Sequence, residues 1–310
     1  EAGSSETQTE SYSQLILATG ARPSPMTLNG TASDQLLRVN HLRDYALFRE
    51  QIAGKRHIAV LGGELVGCEF ANDLLAGGYE VSIVSTGRTL LDGLAPPELG
   101  DRLAQSFERE GIHVRFNGRA IAIDRAAPDA NHDLRLSCET GAPIDCDAVL
   151  AATGLLPNVM LARQAGLNVE HGVLTDACCQ TSDPDIYALG DCAQINGICR
   201  MYVLPIMHSA KALATTLCGD RTPVNFPPMP VAVKTPACTM TLCPPAVREQ
   251  TQWSVEQADA NSIKALSHDM SGSLNGFAVC GRFLSESRAL TDQLQARALT
   301  NVTTFSATRT

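Results

Sequence analysis

Apolar and polar positions alternate along this chain in short runs that end at glycine, proline or small polar residues. Residues 12–20 form the first run, and an apolar centre followed by Ala-Thr-Gly predicts a short buried strand that ends in a tight turn. Residues 57–61 predict a second strand, which leads through a glycine-rich turn into a helix over 64–76 and a strand over 80–85. A strand, a helix and a strand within about 30 residues are typical of a parallel βαβ unit.

The rest of the chain continues this α/β pattern and then changes to strands followed by a closing helix. Helices are predicted over 40–52, 96–110, 209–218 and 283–299. Strands are predicted over 112–116, 120–124, 134–138, 147–154, 181–191, 231–242, 252–257, 262–268 and 276–281. The strands after the proline-rich segment 223–230 follow one another closely, which predicts a small antiparallel sheet.

Composition and charge narrow the class of protein. The 310 residues are 44% hydrophobic, enough to bury a large core in two or three domains, and the net charge is −9. An acidic balance argues against a nucleic-acid partner and against an anionic membrane surface. The chain lacks the run of about 18 apolar residues that a transmembrane helix needs. Residues 1–10 are polar and do not resemble a secretory signal, so we expect a cytoplasmic protein.

Eleven cysteines are scattered along the chain without a Cys-x-x-Cys pair, so we expect neither a metal site nor a disulfide framework. Most should be small buried hydrophobes. Cys238 and Cys243 could form a redox couple. The strand-like alternation of residues 231–242 and the flanking prolines favour simple packing instead.

The turn Gly62-Gly63-Glu64-Leu65-Val66-Gly67 follows a predicted strand and opens a predicted helix, the context of a dinucleotide fingerprint. The first glycine would make the tight turn and the last would let the helix pack on the strand, with a pyrophosphate over the helix N-terminus. An ordinary strand-to-helix turn is the alternative.

Two features depart from that fingerprint. Glu64 stands at the second glycine position, where the backbone normally approaches the phosphates, so we expect weakened nucleotide binding. The following strand ends in Ser85 instead of the acidic residue that accepts a ribose hydroxyl, and Arg88 is as suited to a solvated loop as to a 2′-phosphate. The sequence therefore does not separate NADH from NADPH.

Taken together, several motifs resemble those of FAD-dependent pyridine-nucleotide oxidoreductases. They are the Ala-Thr-Gly strand ends at 18–20 and 152–154, the nucleotide-binding unit between them, and Ile-Tyr-Ala-Leu-Gly-Asp-Cys-Ala at 186–193. Within that family, residues 67–74, 202–207 and 229–238 are similar to members that reduce rubredoxin. The resemblance runs from about residue 12 to 290. It implies an enzyme that passes electrons from NAD(P)H through FAD to rubredoxin or a similar small iron carrier.

The resemblance also implies roles for single residues. Asp191 would hydrogen-bond the flavin ribityl chain, Val203 would line the isoalloxazine ring through its backbone, and Glu69 would lie where the nicotinamide docks. Lys234 would contact the flavin, where a cation stabilises the anionic reduced form. The remaining expected cofactor-binding residues are Thr19, Gly20, Gly62, Gly63, Glu64, Gly67, Gly154 and Gly190. Each of the four named roles has an alternative. Asp191 could instead cap the following segment, and Val203 could be a core residue. Glu69 could be a helix-surface residue, and Lys234 could be a solvated strand residue.

The expected fold class is α/β, with FAD-binding and NAD-binding three-layer domains and a small C-terminal α+β domain. Expected boundaries are 1–45 and 149–225 for the two parts of the FAD domain, 46–148 for the NAD(P) domain and 226–310 for the last domain.

The family's first glycine-rich fingerprint, which holds the ADP half of FAD, has no counterpart here. We therefore expect a segment of roughly 85 residues to be missing before Glu1, and poor FAD retention. Two alternatives follow: a reductase of ferredoxin, a disulfide or oxygen, and a non-catalytic fragment.

Overall fold

The structure is a computed structural model that describes residues 9–245 and 252–307, with side chains described as far as residue 297. Its internal contacts divide the chain into two compact units. The first contains residues 1–22 and 155–226, and the second contains residues 23–154 and 227–310. The domain boundaries at 45, 148 and 225 stay a prediction, and residues 23–45 here contribute to the second unit.

Six helices and twenty strands are formed by the described residues. The helices are α1 (Leu42–Ile52), α2 (Leu65–Ala76), α3 (Pro97–Glu110), α4 (Met160–Gln164), α5 (Val203–Leu217) and α6 (Ser287–Ala307). The strands are β1 (Leu15–Leu17), β2 (Ala21–Pro23), β3 (Leu36–Arg38), β4 (His57–Leu61), β5 (Glu80–Val84), β6 (His113–Arg115), β7 (Ala120–Arg125), β8 (Leu134–Cys138), β9 (Ile144–Cys146), β10 (Ala148–Ala151), β11 (Leu155–Pro157), β12 (Val173–Thr175), β13 (Ile186–Ala188), β14 (Ala193–Ile195), β15 (Ile198–Cys199), β16 (Val231–Val233), β17 (Met240–Cys243), β18 (Gln252–Asp259), β19 (Ser262–His268) and β20 (Leu274–Cys280).

A five-stranded parallel sheet in the order β3-β10-β4-β5-β6 forms the centre of the second unit. Four of the five β4 residues are buried, as expected for a strand covered on both faces. The predicted βαβ unit is confirmed, with α2 joining β4 to β5. Gly78, at φ +87°, is the left-handed residue after α2, whereas Gly77 keeps an ordinary φ of −77°. A second, antiparallel sheet of β7, β8 and β9 belongs to the same unit.

The C-terminal part of this unit is an antiparallel sheet in the order β16-β17-β20-β19-β18, which confirms the predicted small sheet. The single strand predicted over 231–242 is wrong in one respect. Pro236 starts a 3₁₀ turn, Pro236–Cys238, that breaks the run into the hairpin strands β16 and β17. Proline removes a backbone donor and fixes φ, so the strand cannot continue through it.

The first unit contains three small sheets. Strand β1 pairs in parallel with β13, and β2 pairs with β11. In the third sheet, β14 lies between β12 and β15. Helix α5 begins at Val203, six residues before the predicted start. Pro205 hides that start in the sequence, yet a proline in the first turn of a helix costs little because its missing N–H would have no helical partner.

Each unit has its own apolar core. In the second unit, residues of the parallel sheet and α3 share one buried cluster with the C-terminal sheet, and Phe107, Ile58 and Met240 are all fully buried there. None of the described helices is long and apolar enough to cross a membrane. The same residues contain no group of three or more potential metal ligands.

Candidate functional site

The glycine-rich turn between β4 and α2 is too tight for side chains at two positions. Gly62 has φ +123°, and a Cβ there would lie 2.3 Å from the carbonyl oxygen of Ala152. A Cβ on Gly67 would lie 2.1 Å from the carbonyl oxygen of Gly62. Both contacts are with backbone, which cannot rotate away. The turn therefore brings the start of α2 against the ends of β4 and β10, as the first and last glycines of a nucleotide fingerprint do.

Helix α2 starts without a side-chain cap on its first N–H groups, which is the arrangement of an anion site. Glu64 occupies the N-cap position, is exposed, and its Oε1 accepts a hydrogen bond of 3.2 Å from the N–H of Gly93. This bond holds a carboxylate beside the turn where a pyrophosphate would lie. The fold fits a dinucleotide here, whereas the charge of Glu64 opposes one.

Gly63 and Ser85 complete the turn. The Oγ of Ser85 is buried and accepts the N–H of Gly87 at 3.1 Å, and the carbonyl of Gly63 accepts the N–H of Leu91 at 2.9 Å. The Ser85 hydroxyl therefore forms its hydrogen bond within its own loop. Its position gives no carboxylate for a ribose hydroxyl, so the choice between NADH and NADPH stays open.

Glu69 and Lys234, which are distant in sequence, are brought together in the second unit. The Oε1 of Glu69 on α2 accepts the backbone N–H of Lys234, just after β16, at 3.1 Å. Glu69 is partly buried and Lys234 is exposed. Gly154 follows β10, whose Ala151 pairs with Leu61 of β4, so it lies at the same strand ends as the glycine-rich turn.

In the first unit, the predicted residues lie at the carboxyl ends of two adjacent parallel strands. Leu17 pairs with Ala188, so Thr19 and Gly20 after β1 lie beside Gly190 and Asp191 after β13. Such strand ends form the ligand-binding edge of open α/β sheets.

Asn158 holds the loop after β1 in place by hydrogen bonds to Thr19 and Gly20. Its side chain donates to the carbonyl of Thr19 at 2.8 Å, its N–H donates to the carbonyl of Gly20 at 2.9 Å, and its carbonyl accepts the Thr19 hydroxyl at 2.8 Å. Asn158 is not among the residues predicted from the sequence. Its position four residues after the second Ala-Thr-Gly was the available signal.

Among the predicted site residues, Asp191 has a buried polar atom that fits contact with a ligand. Its Oδ1 is buried and has no hydrogen-bond partner among the described residues, and burial raises the pKa of this carboxyl above its ordinary value. Buried polar atoms are nearly always satisfied, so an orphaned carboxylate oxygen fits a hydroxyl-bearing ligand. The alternative of a capping aspartate does not account for this oxygen.

Val203 is the first residue of α5 and is 69% exposed, so it is not a core residue. The helix start lies near Gly190, where an added Cβ would be 3.9 Å from Ile206. The N-cap residue of α5 makes no side-chain capping bond, and the N–H groups of Val203 and Leu204 are directed out of the first turn. Pro205 contributes none.

The glycine-rich turn of the parallel βαβ unit, and the strand edge where the Oδ1 of Asp191 has no partner among the described residues, are features of dinucleotide-binding proteins. A family model for pyridine nucleotide-disulphide oxidoreductases matches residues 1–214, and one for a rubredoxin-binding C-terminal domain matches residues 223–294. The chain belongs to the pyridine nucleotide-disulphide oxidoreductase family. FAD and NAD(H) are the cofactors of such reductases.

Relatives and solved structures agree with this assignment. The chain is 41% identical to rubredoxin-NAD(+) reductase of Alcanivorax borkumensis over 92% of this chain and 74% of that protein. It is 38% identical to the Acinetobacter baylyi protein of the same name, over 89% and 70%. A ferredoxin reductase from Rhodopseudomonas palustris superimposes with a TM-score of 0.77 at 27% identity, over 87% and 67%. The covalent putidaredoxin reductase–putidaredoxin complex shares the fold, with a TM-score of 0.79 at 23% identity, over 92% and 70%.

Proposed function

We propose that this chain is a flavoprotein oxidoreductase that passes electrons from NAD(P)H through FAD to rubredoxin in the cytoplasm. The match of residues 223–294 to a rubredoxin-binding domain carries the choice of acceptor. Two relatives of 38% and 41% identity named for the same reaction support it. A reducing compartment suits a chain whose eleven cysteines are all free thiols.

In the first unit, Asp191 and the start of α5 are the proposed flavin contacts. The Oδ1 of Asp191, which has no partner in the described part of the chain, would accept a hydrogen bond from a ribityl hydroxyl, which satisfies a buried acceptor on binding. The N–H groups of Val203 and Leu204 would donate to electronegative atoms at the edge of the isoalloxazine ring, and the helix dipole favours negative charge there. Thr19, Gly20 and Gly190 would approach the cofactor through their backbone.

In the second unit, α2 and the 231–243 hairpin carry the proposed nicotinamide and flavin contacts. The bond from the Lys234 N–H to Glu69 fixes the start of the turn that presents the lysine side chain. An exposed ammonium held in this way can stabilise negative charge on a reduced ring. Gly62, Gly63, Gly67 and Gly154 would leave room for the dinucleotide backbone.

Bound FAD supplies the chemistry that links a two-electron hydride donor to a one-electron iron carrier. The chain's own residues bind and orient the two cofactors and set the charge around them. None of the proposed contacts requires a covalent bond between this chain and a cofactor.

Steady-state assays on the FAD-loaded chain test the proposed acceptor. With NADH in excess, reduction rates are measured for a rubredoxin, a ferredoxin, a small disulfide and oxygen, each over a range of concentrations. The proposal expects rubredoxin to give the highest kcat/KM. A higher value for any other acceptor would reassign the substrate, and a folded protein that takes up no flavin would favour the non-catalytic alternative.

A further inference from the structure

An arginine without a counterion lies in the first unit, between the two proposed flavin contacts along the chain. Arg200 follows β15 and stands two positions before Tyr202, the N-cap residue of α5. It is half-buried, and its Nη1 is buried without a hydrogen-bond partner among the described residues. No ion pair found in that part of the chain includes it. The protein around Arg200 therefore leaves its positive charge unbalanced.

A tight hairpin brings Arg200 to the end of β14 where Asp191 lies. Asn196 and Gly197 turn the chain with φ of +51° and +78°, and β15 pairs antiparallel with β14. Strand β14 begins two residues after Asp191. The hairpin thus returns the chain to the end of the strand that follows the proposed ribityl contact.

The start of α5 belongs to the same neighbourhood. Three residues of chain span at most about 11 Å, so Arg200 lies beside Val203, whose N–H is proposed to bind the ring edge. The first turn of the helix also lies near the turn that carries Asp191, because a Cβ on Gly190 would be 3.9 Å from Ile206. Arg200 is therefore placed at the proposed flavin edge of the first unit.

An aromatic ring holds the guanidinium in place without completing its hydrogen bonds. The Cζ of Arg200 lies 4.2 Å from the centroid of the Phe226 ring, and Phe226 packs against the core of the first unit. This cation–π contact is favourable, but a ring face offers no acceptor to the N–H groups at the guanidinium edge. A side chain ordered in this way loses less freedom when a ligand meets it.

The charge of Arg200 is costly while it has no anion nearby. Burial lowers the pKa of its guanidinium, against a smaller opposite effect of Tyr202. A charge that has lost part of its hydration without gaining a counterion is destabilising, and a ligand that brings negative charge compensates it.

We propose that Arg200 is a cationic contact for the flavin that stabilises the negative charge of the reduced isoalloxazine ring. This inference rests on the proposed function, since it takes FAD to bind along Asp191 and α5. A fixed cation favours the reduced, anionic ring over the oxidised, neutral one, so Arg200 should raise the midpoint potential of the bound flavin. FAD offers a second anion, its pyrophosphate, but Arg200 adjoins the start of α5, the segment proposed to bind the ring.

Anaerobic isothermal titrations of the full chain with oxidised FAD and with dithionite-reduced FAD test the proposal. The ratio of the two dissociation constants gives the change in midpoint potential on binding, so neither NADH nor rubredoxin is needed. Arg200→Met should weaken the binding of reduced FAD at least about tenfold more than that of oxidised FAD, which lowers the potential of this two-electron couple by about 30 mV. Arg200→Lys keeps the charge and should recover most of this difference. Arg163→Met removes an exposed arginine of α4 in the same unit and, as the matched control, should bind both forms like the wild type.

Riboflavin, which has the ring but no phosphate, shows which part of the cofactor Arg200 contacts. The selective loss should recur with reduced riboflavin. A loss confined to FAD, equal losses for oxidised and reduced flavin, or no loss in Arg200→Met would each overturn the proposal. In those three cases flavin still binds and the proposed function stands, whereas a wild-type chain that binds no flavin in either state would contradict both.

Discussion

Removing the charge of Glu64 should strengthen the binding of a nicotinamide dinucleotide. The carboxylate lies at the N-cap of α2 and is held by the N–H of Gly93, at the turn where the pyrophosphate is expected. Glu64→Gln keeps the size of the side chain and an oxygen for the Gly93 bond while it removes the charge. Glu64→Gly also frees the space above the helix.

The size of the effect follows from the separation and the screening of the charges. Two like charges about 4 Å apart repel by roughly 1 kcal/mol in bulk water and by about 4 kcal/mol at an effective dielectric of about 20. Because Glu64 is exposed, the larger value is an upper bound. At about 1.4 kcal/mol for each factor of ten, the dissociation constant should fall between about fivefold and several hundredfold.

Isothermal titration of NADH and of ADP-ribose into each variant measures this directly and does not require flavin. Glu108→Gln, an exposed carboxylate on α3, is the matched control and should bind like the wild type. The advantage of Glu64→Gln should shrink as salt is added, since exposed charges are screened. Equal affinities for the wild type and both Glu64 variants at low salt would refute the repulsion.

Three further outcomes are expected. Gly67→Ala should lower the free energy of unfolding by about 1–3 kcal/mol in denaturant titrations, because its Cβ would meet the Gly62 carbonyl at 2.1 Å. Gly77→Ala, whose nearest contact is 3.3 Å, should lower it less, and equal losses for the two variants would contradict the steric reasoning. Burial raises the pKa of Asp147, but three backbone N–H bonds to its carboxylate outweigh burial and lower this pKa overall. The charged carboxylate therefore stabilises the fold above its pKa in the unfolded chain, and this stabilisation is lost as the pH falls through its pKa in the folded protein. Asp147→Asn should therefore flatten the acid side of the stability profile, and an unchanged profile would count against that origin. Asp191→Ala should weaken FAD binding by about 1–3 kcal/mol in fluorescence titrations, and unchanged binding would remove Asp191 from the site.

Local patterns were sufficient to predict the elements whose signals lie within a few residues. The strand over 57–61, the helix that follows and the strand over 262–268 occur where the apolar periodicity put them. Three-residue strands such as β12 and β14 were missed, because three residues leave too little periodicity to detect.

The site shows the same division between local and distant information. The glycine-rich turn could be recognised because its glycines lie within six consecutive residues, although Ala152 and Ser85 also limit the space there. The bond between Glu69 and Lys234 spans 165 residues, and the Asn158 contacts span 139. Such pairs arise only when strands from separate parts of the chain become neighbours. The orphaned oxygen of Asp191 likewise depends on burial by residues that no local pattern specifies.

Electron flow through the flavin can be followed in a single anaerobic experiment on the FAD-loaded chain. NADH is added in one equivalent while the visible flavin band is recorded, and oxidised rubredoxin is then added. Transfer from NAD(P)H through FAD to rubredoxin requires the band to bleach with NADH and to return as two rubredoxins are reduced. A flavin that NADH leaves oxidised, or a reduced flavin that rubredoxin does not reoxidise, would contradict the proposed function.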